Sequence, residues 1–113
     1  NQDYLEIVKN AMWRVVNEKR VGTASHMKKV GDIEYAGKTG TAQVYNLDKG
    51  KTGAKNLQDH ALFISYAPFD KPEVVVTVIV EHGGGGSSTA APIARDIIEY
   101  YMDNKTQKVA VNE

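Results

Sequence analysis

The stretch HALFISYAPFDKPEVVVTVIV (residues 60–80) decides the fold. Its two halves, His60 to Ala67 and Val74 to Val80, are rich in the β-branched and aromatic residues that suit a pleated surface. The link Pro68-Phe69-Asp70-Lys71-Pro72 is short, so the halves are predicted to pair as an antiparallel hairpin. The second half is apolar at nearly every position, which predicts cover on both of its faces. Upstream, Ala36 to Tyr45 (AGKTGTAQVY) reads as a third strand. Its period of two places Thr39 and Thr41 on one face, continued by Gln43 and Tyr45. Lys38, Gly40, Ala42 and Val44 then point the other way.

Two helical patterns flank these strands. Leu5, Val8, Met12 and Val15/Val16 recur three or four apart, with Ile7 and Trp13 widening the stripe. Asp3 is the expected cap, and Gly22 lies just beyond a basic end at Lys19-Arg20. The second helix starts near Ala91 or Pro92, and Ile93, Ile97 and Tyr101 form its expected buried face, supported by Ala94 and Ile98. Residues 104–113 are polar and are expected to fray. Thr23 to Gly31 is polar, Asp32-Ile33-Glu34-Tyr35 alternates briefly, and Asn46 to Gln58 reads as a mobile loop. The outline is an α+β fold: a three-stranded antiparallel sheet flanked by an N-terminal and a C-terminal helix.

Composition narrows the function. The chain has 113 residues, enough for one compact domain. Fourteen basic residues balance fourteen acidic ones, which argues against a nucleic-acid partner, since gripping a phosphate backbone needs clustered excess cations. There is no cysteine, so disulfide and thiolate chemistry are excluded. His26, His60 and His82 share no metal-ligand spacing, and no metal or cofactor is expected. No apolar run approaches the roughly 20 residues that cross a bilayer. The start, Asn1-Gln2-Asp3, enters an amphipathic segment at once and reads as cut from something longer.

Lys38-Thr39-Gly40-Thr41 is the tetrapeptide that carries chemistry. A cation and two hydroxyls on a strand suit an anionic, extended ligand, and glycine lets another backbone come close. At a sheet edge such a strand could also pair with a peptide by strand addition. The competing reading is a polar edge strand whose lysine discourages aggregation. Gly83 to Gly86 opens a helix but is followed by Ser87 where a phosphate loop has lysine, so it reads as a turn and not a nucleotide site.

The run AGKTGTAQV (residues 36–44), followed by HALFISYAPFDKPEVVVTVIVEHGGGGSSTAAPIARDIIEYY (residues 60–101), resembles class B penicillin-binding proteins, the elongation-type D,D-transpeptidases among them most. The resemblance extends from the first helix to about Tyr101. It implies that residues 1–103 are the C-terminal part of a transpeptidase domain, with a partial penicillin-binding/β-lactamase-like sheet. In that family three motifs build the site: S-x-x-K with the nucleophilic serine and a general-base lysine, S-x-N, and K-T-G. Only the third is convincing here. Ser25-His26-Met27-Lys28 matches S-x-x-K formally, but it lies between a helix end and a strand, ten residues before KTG, and we read it as coincidence.

By resemblance, Lys38 sits beside the S-x-N serine and keeps the site positive, while Thr39 and Thr41 hold the carboxylate of a D-Ala-D-Ala stem peptide or a β-lactam. Gly40 allows the close approach. The Thr41 N–H is one of two oxyanion-hole donors, each of which stabilises the transition state by about 3–4 kcal/mol in well-studied cases. Lys38 and Thr41 are thus the catalytic candidates, and Lys38, Thr39, Gly40 and Thr41 the substrate-binding ones. The nucleophile lies outside the chain, which alone is expected to be inactive. The partners implied are stem peptides, β-lactams and the remainder of the parent domain, and the location implied is periplasmic, held by an inner-membrane anchor absent here. The family's sheet continues beyond the last strand, so the free edge of VVVTVIV is expected to self-associate. The alternatives are a serine β-lactamase, a D,D-carboxypeptidase, or a non-catalytic penicillin-binding module.

Overall fold

The computed structural model describes residues 1–44 and 58–112. The element order is α1 (Gln2–Asn17), β1 (Ala36–Ala42), β2 (His60–Ala67), β3 (Val74–Val80), a single π-helical turn (Gly86–Ala90) and α2 (Ala91–Val111). The three strands form one antiparallel sheet in the order β1-β2-β3, the α+β arrangement expected from the sequence. Gln43 and Val44 follow β1 outside the ladder, and Tyr45 with most of the expected mobile loop lies outside the described residues.

Strand register sorts the side chains. Phe63 stands opposite Thr39 and Val78, and Ser65 opposite Gly37 and Val76, so these residues share one face with Ala61 and Ala67. That face is the core. Ala61, Phe63, Ser65, Ala67, Val76 and Val78 are buried, and Ala91, Ala94, Ile98 and Met102 of α2 lie in the same buried cluster. The Ser65 hydroxyl is satisfied within the sheet, donating to the Val76 carbonyl at 3.2 Å.

Two apolar faces depart from expectation. The opposite side of β3 is bare, with Val75 66% and Ile79 63% exposed, although the apolar run predicted cover on both sides. Among the described residues α2 and the π-helical turn pack against β3, whereas α1 packs against β1 and the β2–β3 link. On α2 the packed stripe is Ala91, Ala94, Ile98 and Met102, whereas Ile93, Ile97 and Tyr101 are about two-fifths exposed. The small alanines bring the helix axis close to the sheet, and that approach rotates the larger isoleucines outward.

The helix ends also shift. Asn1, not Asp3, caps α1, its side-chain oxygen accepting the Asp3 N–H at 2.9 Å. The helix stops at Asn17, earlier than the basic pair suggested, and the chain then folds back so that Gly22 N–H meets the Glu18 carbonyl at 2.8 Å. Only Val16 of its apolar stripe is buried, and Leu5, Ile7 and Val8 are more than half exposed. Contact is made by the C-terminal half: Asn17 donates to the Tyr35 carbonyl at 2.9 Å, and the Trp13 ring sits 6.4 Å from Phe69. Asp32 to Tyr35 forms no strand, only a bridge between Val30 and Ile33.

Toward the C-terminus α2 continues to Val111. Thr106 donates to the Met102 carbonyl at 3.1 Å, Asn104 donates to that of Tyr100 at 2.8 Å, and Lys105 pairs with Glu73 beside the hairpin. The radius of gyration is 16.4 Å, against about 13 Å for a compact domain of this length. The buried apolar residues nevertheless form one cluster that includes Val16 of α1, Phe63 and Val76 of the sheet, and Ala94 and Ile98 of α2.

Candidate functional site

Lys38, Thr39, Gly40 and Thr41 all lie on β1, an outer strand with β2 on one side and no further strand on the other among the described residues. Thr39 and Thr41 stand opposite Phe63 and Ala61, and Lys38 and Gly40 opposite Ile64 and Leu62, the alternation read from the sequence. Lys38 is exposed, and its ammonium donates to the Thr39 carbonyl at 2.7 Å. Thr39 is half-buried and its Oγ1 lies 3.1 Å from Thr23 Oγ1. Lys38 and Thr23 line one hollow of about 220 Å³ together with Arg14, Val15, Val21 and Gly22 at the end of α1. Arg14 there pairs with Glu18, which raises the guanidinium pKa further by hydrogen bonding and charge attraction.

The back of this strand is braced by the glycine turn. At Gly86 a Cβ would stand 2.5 Å from the Leu62 carbonyl oxygen and 2.7 Å from that of Gly40, so the turn presses directly on the ladder behind the tetrapeptide. Gly84 has φ +84°, the left-handed region that favours glycine. Thr89 closes the turn by donating from Oγ1 to the Gly83 carbonyl at 2.8 Å. The glycines thus serve close approach and chain reversal.

Ser25 and Lys28 are not one helical turn apart on a helix. Ser25 lies in the turn after α1, its hydroxyl 3.5 Å from the Lys19 carbonyl. With His26 and Lys28 it borders a cavity of about 660 Å³ that Lys38 does not line. Tyr35 borders the same cavity, 3% exposed, and its hydroxyl has no hydrogen-bond partner among the described residues. Burial pushes its pKa up to about 12; nearby Arg95 lowers it and Asp96 raises it.

Two associations were not visible in the sequence. His60 and His82, which share no metal-ligand spacing, meet edge to face with ring centroids 4.8 Å apart, and His60 Nδ1 accepts the His82 backbone N–H at 2.9 Å. The β2–β3 register, with Ala61 opposite Val80, is the signal that could have found them. The Thr23–Thr39 contact has no such signal, because Thr23 sits in an aperiodic polar loop.

Comparison with known proteins gives a consistent picture. The family model of the penicillin-binding protein transpeptidase domain matches residues 1–99. Peptidoglycan D,D-transpeptidase MrdA of Haemophilus influenzae is 45% identical over 111 residues, covering 92% of this chain and 17% of that protein. Among solved structures, Pseudomonas aeruginosa PBP2 in complex with WCK 5153 is similar with TM-score 0.67 and 36% identity, over 83% of this chain and 18% of that one. Penicillin-binding protein A from M. tuberculosis, solved as a ceftriaxone acyl-enzyme complex, is similar with TM-score 0.57 and 32% identity, over 80% of this chain and 19% of that one. The chain therefore spans less than one-fifth of the length of each of these proteins.

Proposed function

The chain belongs to the penicillin-binding protein transpeptidase family, and on that premise we propose that it forms one wall of the acyl-transfer site of a peptidoglycan D,D-transpeptidase. The observation that carries this reading is Lys38-Thr39-Gly40-Thr41 on an outer strand whose far edge pairs with no strand among the described residues. An extended stem peptide ending in D-Ala-D-Ala lies along that edge, hydrogen-bonded as an added strand. Lys38 supplies positive potential, and the Thr39 and Thr41 hydroxyls receive the terminal carboxylate. A β-lactam carboxylate occupies the same position.

The nucleophilic serine and its base belong to the longer protein. The serine oxygen attacks the penultimate D-alanine carbonyl and its proton passes to the base. The C–N bond breaks, and terminal D-alanine leaves with a proton returned to its amine. The acyl group then passes to the amine of a neighbouring stem peptide. Thr41 N–H donates to the oxyanion that exists only in the tetrahedral stage, which is why this donor accelerates the reaction. We place the catalytic domain on the periplasmic side of the inner membrane, held by an anchor outside this chain. No helix among the described residues is long and apolar enough to cross a membrane. The outer edge of β3, which pairs with no strand among the described residues and has Val75 and Ile79 beside it, is where we expect a second copy to pair when the rest of the domain is missing.

Intact mass after incubation with a penicillin tests the division of the site. The expected result is no adduct on this chain and one adduct per molecule on the full-length protein, formed roughly 100-fold more slowly by Lys38→Ala, by analogy with losing one electrostatic stabiliser of the transition state. An adduct mapped to Ser25 of the isolated chain would overturn the split site. Unchanged acylation of Lys38→Ala would remove the assigned role of the tetrapeptide.

A further inference from the structure

The hydroxyl of Thr39 is not isolated: Thr23 Oγ1 lies 3.1 Å from it, on a loop 16 residues upstream. From this contact we infer that Thr23 is a positioning residue for carboxylate recognition, orienting the Thr39 proton toward the ligand. The inference rests on the function proposed above. Each threonine hydroxyl has one proton to give. If Thr39 donated to Thr23, its lone pairs would face the incoming carboxylate and repel it. Recognition therefore requires Thr23 to donate and Thr39 to accept, which leaves the Thr39 proton for the anion. Donation by Thr23 also polarises the Thr39 O–H and strengthens the bond it makes.

The surroundings of Thr23 suit this role because they hold its backbone still. On one side Gly22 lies so close to α1 that a Cβ there would stand 2.5 Å from the carbonyl oxygens of Arg14 and Val15. On the other, Ala24 is 0% exposed and donates its N–H to the Val15 carbonyl at 3.0 Å. Farther along, Arg95 of α2 grips the same loop, Nε donating to the Lys28 carbonyl at 3.1 Å and Nη2 to that of Lys29 at 2.8 Å. A side chain on so braced a loop meets Thr39 without losing much freedom, which is what preorganisation requires. Thr23 and Lys38 also line the same hollow at the end of α1.

The test is the acylation rate of the full-length transpeptidase by a penicillin and by its methyl ester. Thr23→Val is expected to slow the free acid about 3- to 10-fold, the worth of one hydrogen bond. The ester, which presents no carboxylate, should change by less than about 2-fold on the same reasoning. Thr23→Ser should restore the acid rate, and adding Thr23→Val to Thr39→Val should cost nothing more, because the two act through one proton. Equal loss with acid and ester would make Thr23 a structural tie and overturn the inference, as would an unchanged acid rate or additive losses in the double variant. An unmodified protein that neither compound acylates would overturn the proposed function itself, a distinct failure.

Discussion

Replacing Gly86 with alanine tests whether the glycine turn sets the position of the KTG strand. The added Cβ would lie 2.5 Å from Leu62 O, 2.7 Å from Gly40 O and 3.0 Å from Gly40 N. All three are backbone atoms of paired strands, so no side chain can rotate away. Restoring an ordinary carbon–oxygen contact needs a shift on the order of 0.9 Å, and overpacking of that kind costs about 1–3 kcal/mol. Alanine also restricts the unfolded chain, which returns about 0.4–1 kcal/mol. The net expectation is a loss of roughly 1–2 kcal/mol, or a fall in Tm of about 4–10 °C for a chain of this size. Gly85 is the internal control. Its φ is −103°, and a Cβ there meets only the Ser88 side chain, whose hydroxyl at 2.8 Å can turn away at the loss of one exposed hydrogen bond to the Gly85 carbonyl. Gly85→Ala should therefore change Tm far less than Gly86→Ala does. In the full-length protein, Gly86→Ala should slow penicillin acylation about 10- to 100-fold, because a displacement approaching 1 Å at Gly40 misplaces the ligand. Circular dichroism melting and acylation kinetics read the two effects. Equal stability of Gly86→Ala and Gly85→Ala would refute the packing argument. Normal acylation by a destabilised Gly86→Ala would refute its link to the site.

Two further expectations concern the loop that carries Thr23. Burial raises the Tyr35 pKa to about 12, so the neutral phenol favours the folded state; its contribution is complete below pH 10, the unfolded value, and is lost between about pH 10 and 12. Denaturant midpoints of Tyr35→Phe should fall less steeply across that window, with the residual slope from Tyr66, whose pKa burial also raises. At neutral pH the variant should be as stable as the parent or up to about 1 kcal/mol more so, since it removes an unpaired buried hydroxyl; an unchanged alkaline slope would contradict this. Arg95→Gln removes the donors to the Lys28 and Lys29 carbonyls and the ion pair with Glu99. It should cost about 1.5–3 kcal/mol and speed amide exchange around Ala24 to Val30, and exchange rates there equal to those of the unmodified chain would show that the loop is held by α1 alone.

The strands, the two helices, the parity of Thr39 with Thr41 and the KTG motif were all readable in the sequence. Each depends on neighbours along the chain: β-branched content, a short link, a side-chain period of two or of 3.6. Which faces became core was not readable in this way. Hydropathy ranks Ile93 and Ile97 above Ala91 and Ala94, yet the alanines are buried because close approach of α2 to Phe63 and Val76 rewards small side chains. Likewise Leu5 and Val8 have the spacing of a buried stripe and stay exposed, because α1 meets the sheet only through its C-terminal half. The Gly86 approach to Gly40, the His60–His82 pair and the Thr23–Thr39 contact depend on residues 16 to 46 positions apart. Local propensity acts over a few residues and is written in them, whereas burial and contact depend on where distant segments come to lie, and only the tertiary structure determines that.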